Sequence, residues 1–210
     1  DGNSSGNLYP FPTTAGVATV ASASNSGATV EIQGLDENYN LQVVTATIGG
    51  STTEQFIRIF RVRMVDVAND DDVNISIGGT VVAKILEGNG QTLMAIYTVP
   101  AGKTAYFMQF QGTTDKVNAP IKFKLMARPF DNGTAFNIKG QFGTQGGNPV
   151  NFNYAVPLVF TEKTDLKIDI EAGGTVGAGA TFDIMRKVSK ASASLSLFRI
   201  RNCSSLDGFL

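Results

Sequence analysis

The chain has no histidine, no tryptophan and a single cysteine, Cys203. Without His the usual carrier of protons near neutral pH is gone, and with it every Ser-His-Asp or Cys-His arrangement and every His-built zinc site. One cysteine cannot close a disulfide within the chain, so stability has to come from packing or assembly, and Cys203 reads as a bystander. The missing indole removes the ring platform common in sugar-binding clefts, although five Tyr could substitute. No apolar run approaches the ~20 residues that span a bilayer, and the opening DGNSSGN lacks the charged and apolar regions of a signal peptide. Neither membrane insertion nor secretion is therefore expected. Charge of one sign is lacking too: the net charge is -1 and 17% of residues are charged, which gives no basic field for nucleic acid or anionic membrane. No window carries a capped helical stripe, the nearest being the serine-rich stretch 189–197.

What is present is period-two alternation. In Ala28-Thr29-Val30-Glu31-Ile32-Gln33, in Ile121-Lys122-Phe123-Lys124-Leu125 and in Leu166-Lys167-Ile168-Asp169-Ile170-Glu171 every second residue can enter a core, the pattern of half-buried antiparallel strands. Turn signals punctuate the chain at short intervals, among them Asp36-Glu37-Asn38, Gly49-Gly50, Gly78-Gly79, Gly88-Asn89-Gly90, Ala101-Gly102, Asp131-Asn132-Gly133, Gly146-Gly147-Asn148 and Gly173-Gly174. About a dozen strands follow: 28–34, 41–48, 55–66, 73–77, 80–86, 92–99, 104–112, 120–128, 134–139, 150–160, 165–171 and 180–187. The fold class is all-β, an antiparallel, jelly-roll-like β-sandwich. Residues 1–27 and 188–210, rich in Ser and other small residues, read as flexible arms around a sandwich domain at 28–187.

The phrase QTLMAIYTVPAGKTAYFMQF at 91–110 is echoed by YAVPLVFTEKTDLKID at 154–169, with Val156-Pro157 for Val99-Pro100 and Lys163-Thr164 for Lys103-Thr104. The echo suggests two related sandwich lobes meeting near 100–104. Two segments are apolar on both faces. In 93–99 Met94 and Ile96 oppose Leu93, Ala95, Tyr97 and Val99; in 56–65 Ile57, Ile59 and Val65 share a face with Arg61 and Arg63. Such strands need cover from a second sheet or a neighbouring subunit, which makes Ile57, Ile59, Arg61, Arg63, Met94 and Ile96 the candidate subunit interface.

Sites of chemistry are sparse. Asn69-Asp70-Asp71-Asp72 places three carboxylates in one loop, but adjacent residues rarely converge on an ion and the alternating ligand spacing of an EF-hand is absent, so a solvated turn is preferred to a Ca²⁺ site at Asp70, Asp71 and Asp72. The glycine-rich segments 140–147 and 173–179 lack the following helix that a phosphate cradle requires. Asp165, Asp169, Glu171 and Asp183 sit at the polar phase of amphipathic strands, where solvation rather than glycoside hydrolysis explains them. Two basic strands, Arg58, Arg61, Arg63 and Lys122, Lys124, Arg128, lack the interleaved exposed aromatics of a nucleic-acid surface. Asn74-Ile75-Ser76, Asn132-Gly133-Thr134 and Asn202-Cys203-Ser204 match the glycosylation pattern, which means little without secretion.

The succession TVEIQGLDENYNLQVVTATIGG, TTEQFIRIFRVRMV, GQTLMAIYTVPAGKTAYFMQF, KFKLMARPFDNGTAFNIKG and FTEKTDLKIDIEAGG before ATFDIMRK resembles structural proteins of tailed bacteriophages, particularly marine and cyanobacterial ones. The Gly-Leu-Asp-x-x-Tyr-Asn motif at 34–40 and the Tyr-Thr-Val-Pro-Ala-Gly-Lys-Thr motif at 97–104 carry the likeness, which covers about residues 10–187. It implies a non-enzymatic virion component without catalytic residues or cofactors: a decoration or cement protein on the capsid surface, a homotrimer whose partners are the major capsid protein and its own copies. The alternative it leaves open is a receptor- or glycan-binding part of a tail fibre or spike, with the loops at 131–133 and 143–148 facing a host-surface glycan.

Overall fold

The computed structural model describes residues 9–114, 120–133, 135–144, 147–172, 177–188 and 195–205, and for 132, 188 and 195–205 the backbone alone. The described residues form fifteen strands, one 3₁₀ turn at Phe130–Asn132 and no α-helix. The expected all-β antiparallel architecture is the one observed. The chain divides into two compact units, Asp1–Met94 and Ala95–Leu210. The division falls ahead of 100–104, because residues just after 94 already pair within the second unit.

In the first unit β4 (Ser51–Phe56), β1 (Gly16–Ala21), β6 (Val73–Ile77) and β7 (Thr80–Ile85) lie in that order in one sheet, and β3 (Leu41–Thr47), β2 (Thr29–Leu35) and β5 (Arg58–Met64) in the other. In the second unit β12 (Val150–Phe160), β9 (Lys103–Thr114), β14 (Gly177–Val188) and β15 (Leu195–Ser205) form one sheet. The other is β11 (Asn137–Thr144), β10 (Ile121–Arg128), β13 (Asp165–Ala172) and β8 (Ile96–Thr98). These orders are one topology written twice. The pairings β1–β4, β1–β6, β2–β3, β2–β5 and β6–β7 recur as β9–β12, β9–β14, β10–β11, β10–β13 and β14–β15, all antiparallel. Only β8 is additional. In both units the strand after the turn, β4 or β12, carries extra residues opposite its partner: 51 to 55 face Thr19 to Val17, and 153 to 158 face Gln109 to Phe107. Such bulges bend an edge strand and spoil it as a template for pairing.

The repeat is therefore not the one that the Val-Pro echo suggests. The two echoed phrases lie against each other in one unit: Val99 N donates to Thr164 O at 3.0 Å and Lys163 N donates to Val99 O at 2.7 Å. Gly102, at φ +67, closes its turn and donates its amide to the Glu162 carboxylate. The echoed pairs take different places, Val156-Pro157 inside β12 but Val99-Pro100 before a turn, and Lys103-Thr104 opening β9 but Lys163-Thr164 in a turn, and the strands that correspond in the two units share almost no wording. Alternation constrains only which face is apolar, so a duplicated sandwich can lose its sequence likeness and keep its strand order.

The arms also differ from expectation. Residues 16–21 form β1, an interior strand whose Ala18 and Val20 are wholly buried. Ahead of it Tyr9 and Phe11 are buried with rings edge-on at 4.7 Å, and Ile59 N donates to the Tyr9 hydroxyl at 3.0 Å. Residues 195–205 pair along the length of β14. Small residues disguised β1, because an interior strand crowded by large neighbours accepts Ala and Gly where the pattern looks for large apolar side chains. Residues 1–8, 189–194 and 206–210, the rest of the expected arms, lie outside the described residues, as do Gly173 and Gly174 of the predicted turn.

The second unit's core is aromatic. Phe107, Phe110, Phe123 and Phe182 are 0–1% exposed; Phe110 meets Phe123 of the opposite sheet at 5.3 Å, and Phe107 stacks on Phe182 at 5.4 Å. Each such burial stabilises by roughly 1.5–3 kcal/mol and each ring pair by about 0.5–1.5 more, so area rather than ring geometry dominates. Glycines make the crowding possible. A Cβ at Gly112 would stand 2.7 Å from the Phe123 ring, and one at Gly34 would stand 2.1 Å from the Arg58 carbonyl oxygen and 2.7 Å from the Phe56 ring. Gly34 opens the Gly-Leu-Asp-x-x-Tyr-Asn motif, whose remaining members build a turn. Asp36 accepts from the amides of Asn38 and Asn40, both at 2.8 Å, and from the Asn40 side chain at 3.0 Å, while Tyr39 takes φ +64 under the Arg58 guanidinium.

Gly34→Ala is expected to destabilise by about 2–3 kcal/mol through overpacking against backbone, read as a lower urea midpoint. Gly143→Ala, where the nearest atom is 3.8 Å away, should shift it by less than about 0.5 kcal/mol.

Candidate functional site

Of the acidic side chains named from sequence, Asp72, Asp165, Asp169 and Glu171 are held in place by neighbouring cations. Asp72 pairs with Lys84 at 2.6 Å and accepts from Glu87 N at 3.0 Å, and the Lys84 ammonium holds its carboxyl below the ordinary range. The loop around it is tied by two asparagines. Buried Asn69 donates to Asp71 O and Leu86 O and accepts from Gly90 N; Asn25 donates to Ser22 and accepts from Asp70 N. Among the described residues no three of His, Cys, Asp and Glu stand where they could share an ion. The loop reads as an asparagine-locked turn with Asp72 committed to Lys84.

On β13, Glu171 pairs with Lys124 and, at 3.4 Å, with Lys122 of β10, which holds it low in pKa; Asp169 pairs with Lys167 at 2.7 Å. Asp165 departs from its expected solvated place, being 3% exposed. Register explains this: Thr98, Asp165 and Arg128 stand side by side on β8, β13 and β10. Thr98 donates to one carboxylate oxygen at 2.6 Å, and Arg128 donates to the other from Nε at 3.0 Å and from its terminal nitrogen at 2.5 Å. Arg128 and Lys167 each lie over the Phe136 ring, at 4.8 and 4.9 Å. Four strand positions separate Asp165 from Asp169, roughly 13 Å along the chain, well beyond the spacing of paired hydrolytic carboxylates.

The basic strand β5 follows the same logic. Arg63 grips Glu31 of β2 through two bonds at 2.8 and 2.9 Å, which lowers the Glu31 pKa. Arg61 donates to Gln91 at 2.9 Å, and buried Arg58 donates to Ile57 O and Pro12 O. The candidate interface residues thus separate into two kinds. Ile57, Ile59, Met94 and Ile96 are buried within the chain, and Arg61 and Arg63 are engaged by residues of their own unit. The cover assigned to another subunit comes partly from the chain itself. The segment at 9–12 reaches Ile59 and Arg58, and 90–92 lies along the far edge of β5, with Thr92 N donating to Val62 O at 2.8 Å. Of the loops of the glycan reading, 131–133 is described, and 143–148 is interrupted at 145–146, which lie outside the described residues.

The apolar surface that is exposed lies elsewhere, where alternation gave no signal. Among the described residues ten large apolar side chains are exposed: Val17, Val65, Val67 and Phe130, and six others, Leu41 and Val43 on β3, Ile138 on β11, and Phe152, Val156 and Val159 on β12, with Val156 79% exposed. All six belong to the equivalent hairpins β3–β4 and β11–β12, each of which sends its two strands to the edges of opposite sheets. β3 and β12 carry no charge, since no Asp, Glu, Lys or Arg lies between Glu37 and Glu54 or between Lys139 and Glu162, whereas β4 carries exposed Glu54 and β11 exposed Lys139. In the first unit a groove of about 510 Å³ runs between β3 and β4, lined by 43–47 and 50–54. In the second, aromatic side chains fill the corresponding side. Phe142 stacks on Phe110 at 4.5 Å and meets Phe152 at 5.3 Å, and Tyr154 stands edge-on to Phe152 at 4.8 Å and to Phe107 at 5.8 Å. Sequence would have found this surface had uncharged stretches been read as a signal, since an unguarded edge normally carries charge.

The fold and site define a protein of two tandem antiparallel β-sandwiches with apolar side chains exposed on the uncharged edge strands β3 and β12. Compared with protein-family models, curated proteins and solved structures, the chain matches none.

Breaking the buried pair by Arg128→Met leaves Asp165 uncompensated and is expected to destabilise by about 3–5 kcal/mol in urea melts, with Arg128→Met/Asp165→Leu losing far less. Burial pushes the Tyr97 phenol up to about 12 from 10.0, against the opposing pull of Arg186. The folded state thus keeps the proton more tightly than the unfolded chain. Stability should hold below pH 10 and fall by roughly 2–3 kcal/mol as the pH rises toward 12, a slope that Tyr97→Phe should reduce in a pH series of thermal melts.

Proposed function

We propose that the protein is a non-enzymatic structural component of a bacteriophage virion: a head decoration protein, a homotrimer that binds the major capsid protein and reinforces the shell. The observation that carries this reading is the pair of uncharged sheet edges presenting Leu41, Val43, Phe152, Val156 and Val159 to solvent. Edges without charge favour association, and a freely solvated sandwich guards against that with Lys, Glu or bulges. Here the bulges are present and the charges are missing, so lateral pairing is restrained and side-chain contact is left open.

The ionisable groups support a structural role. Asp72, Asp165, Glu171 and Glu31 each hold a strand to its neighbour or close a turn, and Asp169 pairs with Lys167 along β13. The likeness of the 34–40 and 97–104 motifs to phage structural proteins supplies the virion, and the two motifs hold structural places: the first is an Asx-type turn beneath Arg58, and the second is the strand and turn that add Thr98 to Asp165.

Mixed with expanded capsids, the purified protein is expected to co-sediment at fixed stoichiometry, and Val156→Lys should weaken that binding by about tenfold. A strictly monomeric protein that leaves the capsids bare, or label found at the tail of the intact particle, would overturn the reading.

A further inference from the structure

We infer that the free edge of β3 is a self-association site: it pairs antiparallel with β3 of a second copy about a two-fold axis at Val44, joining two three-stranded sheets edge to edge. The contact belongs to the first unit alone and does not rest on the virion reading.

β3 is the edge that the chain leaves unprotected. The sheets end in β4, β7, β11, β8, β12, β15, β3 and β5. Of these β4, β7, β11 and β12 are bulged against their neighbours. β5 is covered by 90–92, with Met64 N donating to Gly90 O and Thr92 N to Val62 O, both at 2.8 Å. β8 is three residues long, and β15 carries Arg199 and Arg201. β3 has none of these protections: its seven residues pair with β2 without a register shift and include no charge and no proline. The bulge that restrains lateral pairing at β12 has no counterpart here. A regular, uncharged edge is a template for another strand.

The hydrogen bonds of β2 reveal which backbone groups of β3 are unused. Val65 N donates to Thr29 O at 3.0 Å and Ile57 N to Leu35 O at 2.9 Å, so the odd residues of β2 turn their backbone to β5 and the even ones turn theirs to β3. Ile48 N donates to Ala28 O at 2.8 Å in the same phase. With Ala46, Val44 and Gln42 opposite Val30, Ile32 and Gly34, the amides and carbonyls of Val43 and Thr45 point away from β2. Among the described residues nothing bonds to them. They border the groove of about 510 Å³ along 43–47 and 50–54, whose lining is hydroxyl-rich, with Thr45, Thr47, Ser51, Thr52 and Thr53. Such a lining offers hydrogen bonds rather than an apolar socket. Gln42 reaches Gln55 O at 2.7 Å near the hairpin's open end, so β4 is bridged there and not along 43–47.

The occupant that this edge specifies is its own copy. Val44 is the midpoint of Leu41–Thr47, so a two-fold axis there overlaps the strands along their whole length. Val43 of each copy then faces Thr45 of the other as a hydrogen-bonded pair, and each pair exchanges both of its bonds, which satisfies every unused group on these residues. On the outer face Leu41 and Val43, 42% and 54% exposed, lie across from Thr47 and Thr45. No like charges meet across the axis, since nothing between Glu37 and Glu54 is charged. An axis at Thr45 would instead set Val43 against Thr47, whose carbonyl already accepts from Gly50 N at 3.1 Å.

Sedimentation equilibrium of the full chain, at concentrations up to about 500 µM, is expected to show reversible self-association. Val43→Lys puts a cation on the edge without touching the core and should weaken association at least about tenfold. Val43→Lys/Thr45→Glu sets opposite charges across the axis and should restore it. In a Cys203→Ser background, Val44→Cys should give a covalent dimer with oxidised glutathione, because a non-hydrogen-bonded pair brings the two Cα atoms to about 4.5 Å; Val156→Cys should not. Circular dichroism checks the fold of each variant. A chain that stays unassociated, or association that Val43→Lys leaves unchanged, would overturn the inference. Cross-linking through Val156→Cys in place of Val44→Cys would overturn it in favour of a β12 contact. A protein that associates through β3 yet leaves capsids bare would refute the virion reading and leave this contact standing.

Discussion

Each sandwich has to close the side where one hairpin parts its strands into opposite sheets, and that constraint governs the rest of the structure. β3 and β4 in one unit, β11 and β12 in the other, leave the apolar interior without a strand across it. Side chains must fill the opening, or something else must. In the second unit Phe142, Phe152 and Tyr154 join the Phe107, Phe110, Phe123 and Phe182 core and carry it out to the surface. In the first the fill is small, and a groove remains. The same topology with two different fillings gives one closed edge with apolar residues on its rim and one open edge.

The charged residues answer a different need. Cross-strand pairs such as Glu31 with Arg63, and the row of Thr98, Asp165 and Arg128, fix register where a slip of one residue would turn an apolar face outward. A buried carboxylate is tolerated there because both of its oxygens are satisfied, and its contribution is specificity of pairing more than net stability. The exposed edges β3 and β12 take no part in these pairs and carry no charge of their own.

Much of the fold was legible. The strands at 28–34, 120–128 and 165–171 alternate cleanly because one face meets a core and the other meets water, and they are β2, β10 and β13 within a residue or two. The failures share a cause. β1 is built from Gly, Ala, Val and Thr, so its alternation is muted; 55–66 reads as one strand although the chain bends at Ile57 and passes to the other sheet. The second cover of these strands was not legible, because a strand apolar on both faces looks the same whether that cover is a subunit or, as for Ile59, the chain's own Tyr9.

Composition and alternation alone settled the all-β class and the exclusion of histidine and disulfide chemistry, because these depend on which residues exist and on local period. Tertiary structure alone decided the repeat, the burial of Asp165, the commitment of Asp72 to Lys84, and the place of the exposed apolar edges. Each of these depends on which distant strand lies alongside, and strand order leaves no local mark. Thr98 and Asp165, or Phe110 and Phe142, become neighbours only when sheets assemble, and the side left open between them is a property of the topology and not of any one segment.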